Sequence, residues 1–178
     1  MHQGNGILKI RKATADDVQA ITDIYNYYIL NSPSTFEEEA LSVDQMASRV
    51  QAVSQKYVCL VGVVNDEVVG YAYEGQWKTR SAYRLTVETS VYLKNGLSGN
   101  GYGNYLYTEL LGQVEKLGYK CLIGGISLPN EASIRLHESF GFVKIGQFVK
   151  VGINQRSHNR INFPFVIVNT CCNINHLK

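Results

Sequence analysis

The sequence predicts a single α/β domain with a mixed, mostly antiparallel sheet flanked by helices. Two observations support this prediction: consecutive strands joined by short turns in the first half, and strands that alternate with amphipathic helices in the second half. A chain of 178 residues matches one domain of ordinary size. We therefore expect one unit over residues 1–178, with an ordered core at about 7–168 and a frayed tail at 169–178.

The first half of the chain is predicted to contain four strands and two helices. Apolar residues between Val18 and Tyr28 fall on one face of a 3.6-residue repeat, which indicates a helix after the first strand. A shorter helix is expected from Ser42 to about Val53, because Ser42 and Gln45 have the spacing of a capping box. Strands are expected at residues 7–11, 57–64, 68–76 and 84–93, with a hairpin turn at Asn65-Asp66.

The second half is predicted to alternate helices with strands. Leu106, Leu110 and Val114 mark the buried face of a helix that Gly118 ends. A shorter helix is expected from Asn130 to Ser139. Strands are expected at residues 120–126, 142–151 and 163–168. The predicted order of elements therefore combines an antiparallel meander with later crossover connections.

Composition and charge exclude several classes of function. The 17 basic and 15 acidic residues are scattered and leave a net charge of +2, so we expect no nucleic-acid binding. No apolar run approaches the roughly 20 residues that span a bilayer, and the amino terminus does not have the build of a signal peptide. The four cysteines lack CxxC spacing. We therefore expect a cytoplasmic protein with no metal site and no membrane contact.

A glycine-rich turn between a strand and a helix is the most informative motif. In Ser98-Gly99-Asn100-Gly101-Tyr102-Gly103, glycines at alternate positions let backbone N–H groups surround an anion. The amino terminus of the following helix adds partial positive charge. A P-loop is excluded because Asn104 follows Gly103 where lysine is required, and the third glycine interval excludes a dinucleotide fingerprint. Taken alone, the motif is also compatible with a merely flexible turn.

A second motif lies further along the chain, at Asn130-Glu131-Ala132-Ser133-Ile134-Arg135-Leu136-His137-Glu138-Ser139-Phe140-Gly141-Phe142. Together the two motifs resemble those of the GNAT superfamily of N-acetyltransferases, with Ser98 in place of the usual Arg or Gln of the pyrophosphate loop. The resemblance implies a GNAT-type fold and acetyl-CoA as co-substrate. Asn130 is also a favoured helix N-cap. The expected coenzyme-binding residues are Val91, Tyr92, Leu93, Gly99, Asn100, Gly101, Tyr102, Gly103, Asn104, Asn130 and Ser133.

Four other segments resemble the phosphinothricin/methionine sulfoximine acetyltransferase family. They are Tyr25-Asn26, Ser34–Glu37, Trp77–Arg84 and Thr86–Tyr92. The resemblance implies transfer of the acetyl group of acetyl-CoA to the amine of a small amino-acid-like substrate, and a homodimer. It covers most of the chain and then fades, because the family usually has Trp-x-Asp in its final strand. This chain has Arg160-Ile161-Asn162-Phe163-Pro164-Phe165 there.

Acetyl transfer to an α-ammonium group requires a base, and Glu88 is the candidate. The substrate amine is mostly protonated at neutral pH, and burial among apolar neighbours is expected to raise the pKa of Glu88 toward a useful value. Glu74 on the neighbouring strand is a weaker alternative. His137 occupies the place of a superfamily tyrosine that protonates the leaving thiolate. We expect His137 either to act as an acid or to contact the substrate.

Contacts to the substrate are expected from basic and aromatic side chains. Lys78, Arg80 and Arg84 can pair with the acid groups of a zwitterion, although an ordinary exposed loop is an alternative interpretation. The expected substrate-binding residues are Phe36, Lys78, Arg80, Arg84, Glu88 and Ser90. Two competing functions are left open: a coenzyme-binding sensor or interaction module with weak catalysis, and an acetyltransferase that acts on a protein or peptide.

Overall fold

The structure is a computed structural model that describes residues 6–154 and 161–171. Its helices are α1 (Val18–Asn31), α2 (Val43–Ser54), α3 (Tyr102–Lys116) and α4 (Glu131–Ser139). Its strands are β1 (Lys9–Lys12), β2 (Cys59–Val64), β3 (Glu67–Gln76), β4 (Thr86–Leu93), β5 (Cys121–Ser127), β6 (Val143–Asn154) and β7 (Ile161–Cys171). Across the described residues, every helix is too short or too polar to cross a membrane.

The strands form one sheet in the order β1-β2-β3-β4-β5-β7-β6. β4 and β5 pair in parallel, and every other neighbouring pair is antiparallel. Parallel neighbours need a long crossover connection, which α3 provides between β4 and β5. The predicted α/β class and the mixed, mostly antiparallel sheet are confirmed.

Local sequence signals explain where several elements begin. At the start of α2, the Ser42 hydroxyl accepts a hydrogen bond from Gln45 N at 3.2 Å. The Gln45 side chain in turn accepts one from Ser42 N at 2.8 Å, which completes the predicted capping box. Between β2 and β3, Asn65 and Asp66 adopt positive φ angles of 49° and 63°. Two such residues in succession are typical of the tight turn that joins hairpin strands.

Two apolar clusters pack against opposite faces of the sheet. On one face, α3 buries Leu106 and other residues against Val87 of β4 and the neighbouring strands. On the other face, α1 and α2 bury Ile21 and Met46 against Tyr71 of β3. Successive strand residues alternate between these two faces. Each catalytic candidate on a strand is therefore assigned to one face by its register.

The last described strand is longer than predicted. β7 continues past Val168 to Cys171, so residues 169–171, expected to begin the tail, belong to the sheet. The reason is long-range, because β5 pairs with β7 as far as Cys121 and Cys171. The rest of the expected tail, residues 172–178, lies outside the described residues.

Candidate active site

A cleft opens in the sheet where β4 and β5 diverge. Their parallel pairing covers Thr86–Glu88 and Cys121–Ile123 and ends there. Beyond that point β4 continues to pair with β3 as far as Leu93, and β5 continues to pair with β7. The two strands therefore enclose a wedge with Glu88 at its closed end.

The wedge leads into a cavity of about 500 Å³ bounded by β4, β5, α4 and the start of α3. Many of the predicted site residues line it together: Ser90, Val91, Tyr92, Leu93, Gly99, Gly101, Gly103, Asn104, Asn130, Ser133 and His137. Other predicted residues do not line it: Phe36, Lys78, Arg80, Arg84, Glu88, Asn100 and Tyr102. The motifs from two distant segments of the chain thus meet in one cavity.

The glycine turn forms one end of this cavity. Gly99 and Gly101 have φ angles of +86° and +80°, a region that disfavours residues with a Cβ. Gly101 is the N-cap of α3, so unpaired backbone N–H groups of the first helical turn point out of the helix end toward the turn. Asn100 is exposed, and its side chain donates a hydrogen bond to Leu97 O at 3.1 Å. Asn100 therefore supports the turn.

The amino terminus of α4 forms another part of the wall. The Asn130 side-chain oxygen accepts a hydrogen bond from Ser133 N at 3.1 Å, which makes Asn130 the N-cap of α4. Its amide nitrogen donates to Ser34 Oγ at 3.4 Å, a residue before α2 that also lines the cavity. Asn130 therefore both caps α4 and links the start of this helix to Ser34 across the cavity wall.

The end of β4 presents a backbone edge to the cavity. Val91 and Leu93 pair with β3 on one side, whereas β5 pairs with β4 no further than Glu88. The Tyr28 hydroxyl donates a hydrogen bond to Leu93 O at 2.9 Å. This part of β4 is thus anchored from the side of α1 and β3, and its opposite edge is open to a ligand.

Glu88 lies beside the cavity on the face of the sheet that carries α1 and α2. A Cβ built on Gly125, which lines the cavity, would be 3.1 Å from Glu88 Oε1. Burial raises the pKa of Glu88, and the positive charge of Lys78 opposes that rise. The carboxyl group is therefore close to the cavity, and its raised pKa makes it a stronger base than an exposed glutamate.

Glu74, the alternative base, lies on the other face of the sheet. It is opposite Thr89 in the register, and Thr89 is hydrogen-bonded to Tyr107 of α3. Glu74 is fully buried, and its Oε1 accepts a hydrogen bond from Val58 N at 3.0 Å. Within the part of the chain that the structure describes, Oε2 has no hydrogen-bond partner. Burial raises the pKa of Glu74 to about 7. This placement within the α3 cluster does not suit a base for a substrate on the Glu88 side.

His137 is a buried residue of α4 that lines the cavity. Its ring packs edge-on against Tyr107 and Phe142, with centroids 5.2 Å and 5.0 Å away. Its Nδ1 is 2.8 Å from Ser133 O, and because a carbonyl only accepts, Nδ1 carries the proton. Burial lowers the pKa of His137 and so favours the neutral ring. Nε2, which has no hydrogen-bond partner among the described residues, then holds a lone pair, an arrangement that does not suit a general acid.

The predicted cations are not equivalent in the structure. Lys78 is close enough to Glu88 for its charge to lower the pKa of that carboxyl, and its Nζ lies 4.7 Å from the Trp77 ring centroid. All three side chains are exposed. Arg80 and Arg84 lie at the two ends of a 3-10 turn, and Arg84 donates to Ser81 O at 3.4 Å. Only Lys78 of these three has a described electrostatic interaction with Glu88.

The structure adds three residues that the sequence did not single out: Tyr28, Gly125 and Phe165. The Phe165 ring lies 5.6 Å from that of Phe36, and its Cζ would overlap a Cβ on Gly125. Phe165 lies in the segment where the family pattern fades, and this was the one signal available. Tyr28 is one of twelve tyrosines, so the sequence offers no reason to select it as a site residue.

Comparison with known proteins identifies relatives over most of the chain. A family model described as an acetyltransferase (GNAT) domain matches residues 10–160. A phosphinothricin N-acetyltransferase of Streptomyces viridochromogenes is 36% identical over 156 residues, which cover 88% of this chain and 85% of the relative. An L-methionine sulfoximine/L-methionine sulfone acetyltransferase of Salmonella typhimurium is 35% identical over 147 residues, with coverages of 82% and 86%.

The fold has solved counterparts as well. A GNAT superfamily phosphinothricin acetyltransferase of Sinorhizobium meliloti, in complex with acetyl-CoA, superposes with a TM-score of 0.86 at 31% identity. The match covers 92% of this chain and 88% of that one.

Proposed function

Because the chain belongs to the GNAT acetyltransferase family, we propose that it transfers the acetyl group of acetyl-CoA directly to the amine of a small amino-acid-like acceptor. Use of acetyl-CoA follows from the family. One observation carries the rest: the raised-pKa carboxyl of Glu88 lies at the closed end of the wedge whose other end is the glycine turn. The proposed base therefore lies beside the cavity whose far end is the proposed phosphate-binding turn.

The cavity suits the extended shape of the co-substrate. The pyrophosphate is assigned to the backbone N–H groups of the glycine turn and the first turn of α3. The pantetheine arm is assigned to the open edge of β4 at Val91–Leu93, where an extended ligand can add hydrogen bonds to a strand edge. This placement brings the thioester toward the closed end of the wedge.

Glu88 then begins the chemistry. The acceptor enters as an ammonium ion, and the Glu88 carboxylate takes a proton from it, directly or through water. The free amine attacks the thioester carbon, and a backbone N–H near Val91 donates to the oxyanion that forms. The C–S bond breaks, the thiolate leaves and gains a proton, and the nitrogen loses one as the amide forms. We do not assign His137 to thiolate protonation, because its Nε2 holds a lone pair.

Thiol release from acetyl-CoA with a panel of acceptors tests this function. The panel is methionine sulfoximine, methionine sulfone, phosphinothricin, a polyamine and a peptide. We expect turnover with the amino-acid analogues. Turnover with the peptide alone would assign the chain to protein acetylation, and binding of acetyl-CoA without turnover would assign it to sensing or scaffolding. Either result would refute the proposal.

A cytoplasmic homodimer remains part of the proposal. The family resemblance suggests the dimer, and exposed apolar side chains on the edge strand β6 support it. Val143, Ile145 and Val149 are 61%, 53% and 71% exposed. Rows of exposed apolar residues of this kind often mark protein interfaces. Light scattering after size-exclusion chromatography is expected to give the mass of two chains.

A further inference from the structure

The Thr89 hydroxyl lies at the closed end of the wedge between β4 and β5. Thr89 is the first residue of β4 beyond the parallel pairing with β5, which ends at Glu88 and Ile123. Thr89 is buried, lines the cavity and lies on the face of the sheet that carries α3. Because successive strand residues alternate between faces, the Glu88 carboxyl and the Thr89 hydroxyl flank the closed end of the wedge from opposite sides.

A tyrosine of α3 fixes the direction of this hydroxyl. Thr89 Oγ1 lies 2.7 Å from the Tyr107 hydroxyl and 3.4 Å from Ile123 O. A carbonyl oxygen only accepts, so Thr89 donates its single proton to Ile123 O, and Tyr107 must donate to Thr89. The bond to Ile123 O is longer than the roughly 2.5–3.0 Å of most O–H···O hydrogen bonds and is therefore weak. The Thr89 proton is thus directed away from Tyr107 and is free to turn to a stronger acceptor in the cavity.

The leaving sulfur of acetyl-CoA is such an acceptor. The pantetheine arm is assigned to the β4 edge at Val91–Leu93 and the base to Glu88, and Thr89 lies between them in the strand. On the facing strand β5, Gly124 and Gly125 have no side chain that could donate a hydrogen bond. A thioester that follows the arm along β4 therefore meets the Thr89 hydroxyl beside Glu88.

The titratable side chains described near Thr89 supply no positive charge for a thiolate. Burial lowers the pKa of His137 and raises the pKa of Tyr107, so both side chains are neutral near pH 7. Glu74 is opposite Thr89 in the register, and burial raises its pKa to about 7, so it is either neutral or negative. Negative charge that develops on sulfur here therefore has to be stabilised by a hydrogen-bond donor.

From this arrangement we infer that Thr89 is a catalytic residue whose hydroxyl donates a hydrogen bond to the leaving thiolate, and that Tyr107 is the positioning residue that orients it. The inference rests on the proposed function. When the C–S bond breaks, its electron pair goes to sulfur, and the Thr89 proton turns from Ile123 O toward that charge. Thr89 keeps its proton throughout. Solvent later delivers a proton to sulfur and takes one from nitrogen, so the charges balance.

The pKa of the thiol of bound CoA tests this contact without turnover. The thiolate absorbs in the ultraviolet, and its absorbance is followed against pH with the protein saturated by CoA. Thr89→Val is expected to move the midpoint to higher pH, by about a tenfold change in proton concentration, because a hydrogen bond to a charged group is lost. Thr89→Ser keeps the hydroxyl and is expected to retain the midpoint.

Turnover with methionine sulfone is expected to follow the same order. We expect kcat of Thr89→Val to fall about 10–100-fold, while the KM for acetyl-CoA changes by less than about twofold. Tyr107→Phe leaves the hydroxyl without its orienting donor, and kcat is expected to fall about three- to tenfold. Thr108→Val, which removes an exposed hydroxyl of α3 next to Tyr107, is the matched control and is expected to change neither constant.

Thermal unfolding of each variant separates this role from a structural one. Thr89→Val leaves the buried Tyr107 hydroxyl without its acceptor, which costs stability. The double variant Thr89→Val/Tyr107→Phe removes both polar groups, and we expect it to be more stable than Thr89→Val with the same shifted midpoint. A midpoint that stays in place in both variants would overturn the role of Thr89. The titration needs only CoA, so an absence of turnover with every acceptor would refute the proposed function and leave this test intact.

Discussion

The Tyr28 hydroxyl donates a hydrogen bond to the carbonyl oxygen of Leu93 at 2.9 Å, joining α1 to the end of β4. Tyr28 lines the cavity, and its ring also packs edge-on against Tyr92, with centroids 5.3 Å apart. This contact holds the carboxyl end of β4 in place, beyond the point where β5 has diverged from it. Tyr28 is therefore a positioning residue for the strand that we assign to the pantetheine arm.

Tyr28→Phe is expected to raise the KM for acetyl-CoA roughly fivefold, the equivalent of one hydrogen bond, with a smaller change in kcat. Steady-state kinetics with varied acetyl-CoA measure both constants. Tyr27→Phe, which removes the hydroxyl of the adjacent residue, serves as the control and is expected to change neither. A fall in kcat with an unchanged KM would show that Tyr28 does not act through the binding of acetyl-CoA.

Gly125→Ala tests the convergence of Glu88 and Phe165. The added methyl group would overlap Phe165, so that ring must move, and it would lie 3.1 Å from Glu88 Oε1, so the carboxyl group must shift slightly. We expect kcat/KM for the acceptor to fall on the order of 10–100-fold, since small displacements of catalytic groups have effects of this size. Gly112→Ala is the control, because a Cβ at Gly112 in α3 would meet no described atom within 4 Å. Equal activity of the two variants would contradict this geometry.

Lys78→Met is expected to move the acid limb of the pH profile of kcat/KM to higher pH. Glu88 must be deprotonated to act as a base, and activity therefore rises with pH through its pKa. Lys78 lowers that pKa against the effect of burial, so removing the positive charge raises it. The exposed Lys116 of α3 provides the control substitution, Lys116→Met. A limb that stays in place, or moves to lower pH, would exclude the interaction between Lys78 and Glu88.

Glu74 is expected to make the protein less stable as pH rises. Its folded pKa of about 7 lies above its usual value of 4.5, so its contribution to stability is full below pH 4.5 and is lost as pH rises through 7. The shift corresponds to roughly 3 kcal/mol. In Glu74→Gln this part of the pH dependence is expected to disappear. Urea unfolding at pH 5 and pH 8 measures the free energy of unfolding of each protein, with Glu115→Gln as the exposed control. An unchanged pH dependence in Glu74→Gln would disprove the role of Glu74.

Features that depend on neighbouring residues could be predicted from the sequence. The capping box of Ser42, the hairpin turn at Asn65-Asp66 and the left-handed Gly101 at the start of α3 each follow from a few adjacent side chains. The two motifs at Gly101 and Asn130 were also expected to form one site, and both line the same cavity.

Features set by long-range pairing could not be predicted. The extension of β7 to Cys171 depends on β5, and the position of Phe165 beside Glu88 depends on three strands that come from distant segments. The hydrogen bond from Tyr28 to Leu93 likewise joins two residues that are far apart in the sequence. His137 shows a further limit, because its neutral, Nδ1-protonated state arises from burial and from Ser133 O, which the motif alone does not reveal.

The most direct test of catalysis by Glu88 is a comparison of Glu88→Gln with the wild-type protein, using methionine sulfone and acetyl-CoA. The substitution keeps the size of the side chain and removes its ability to take a proton. We predict that kcat falls by about 10²–10⁴-fold. The dissociation constant of acetyl-CoA, measured by calorimetry, is predicted to stay the same because Glu88 lies outside the cavity assigned to that ligand. Turnover by Glu88→Gln at a rate close to that of the unchanged protein would contradict the account.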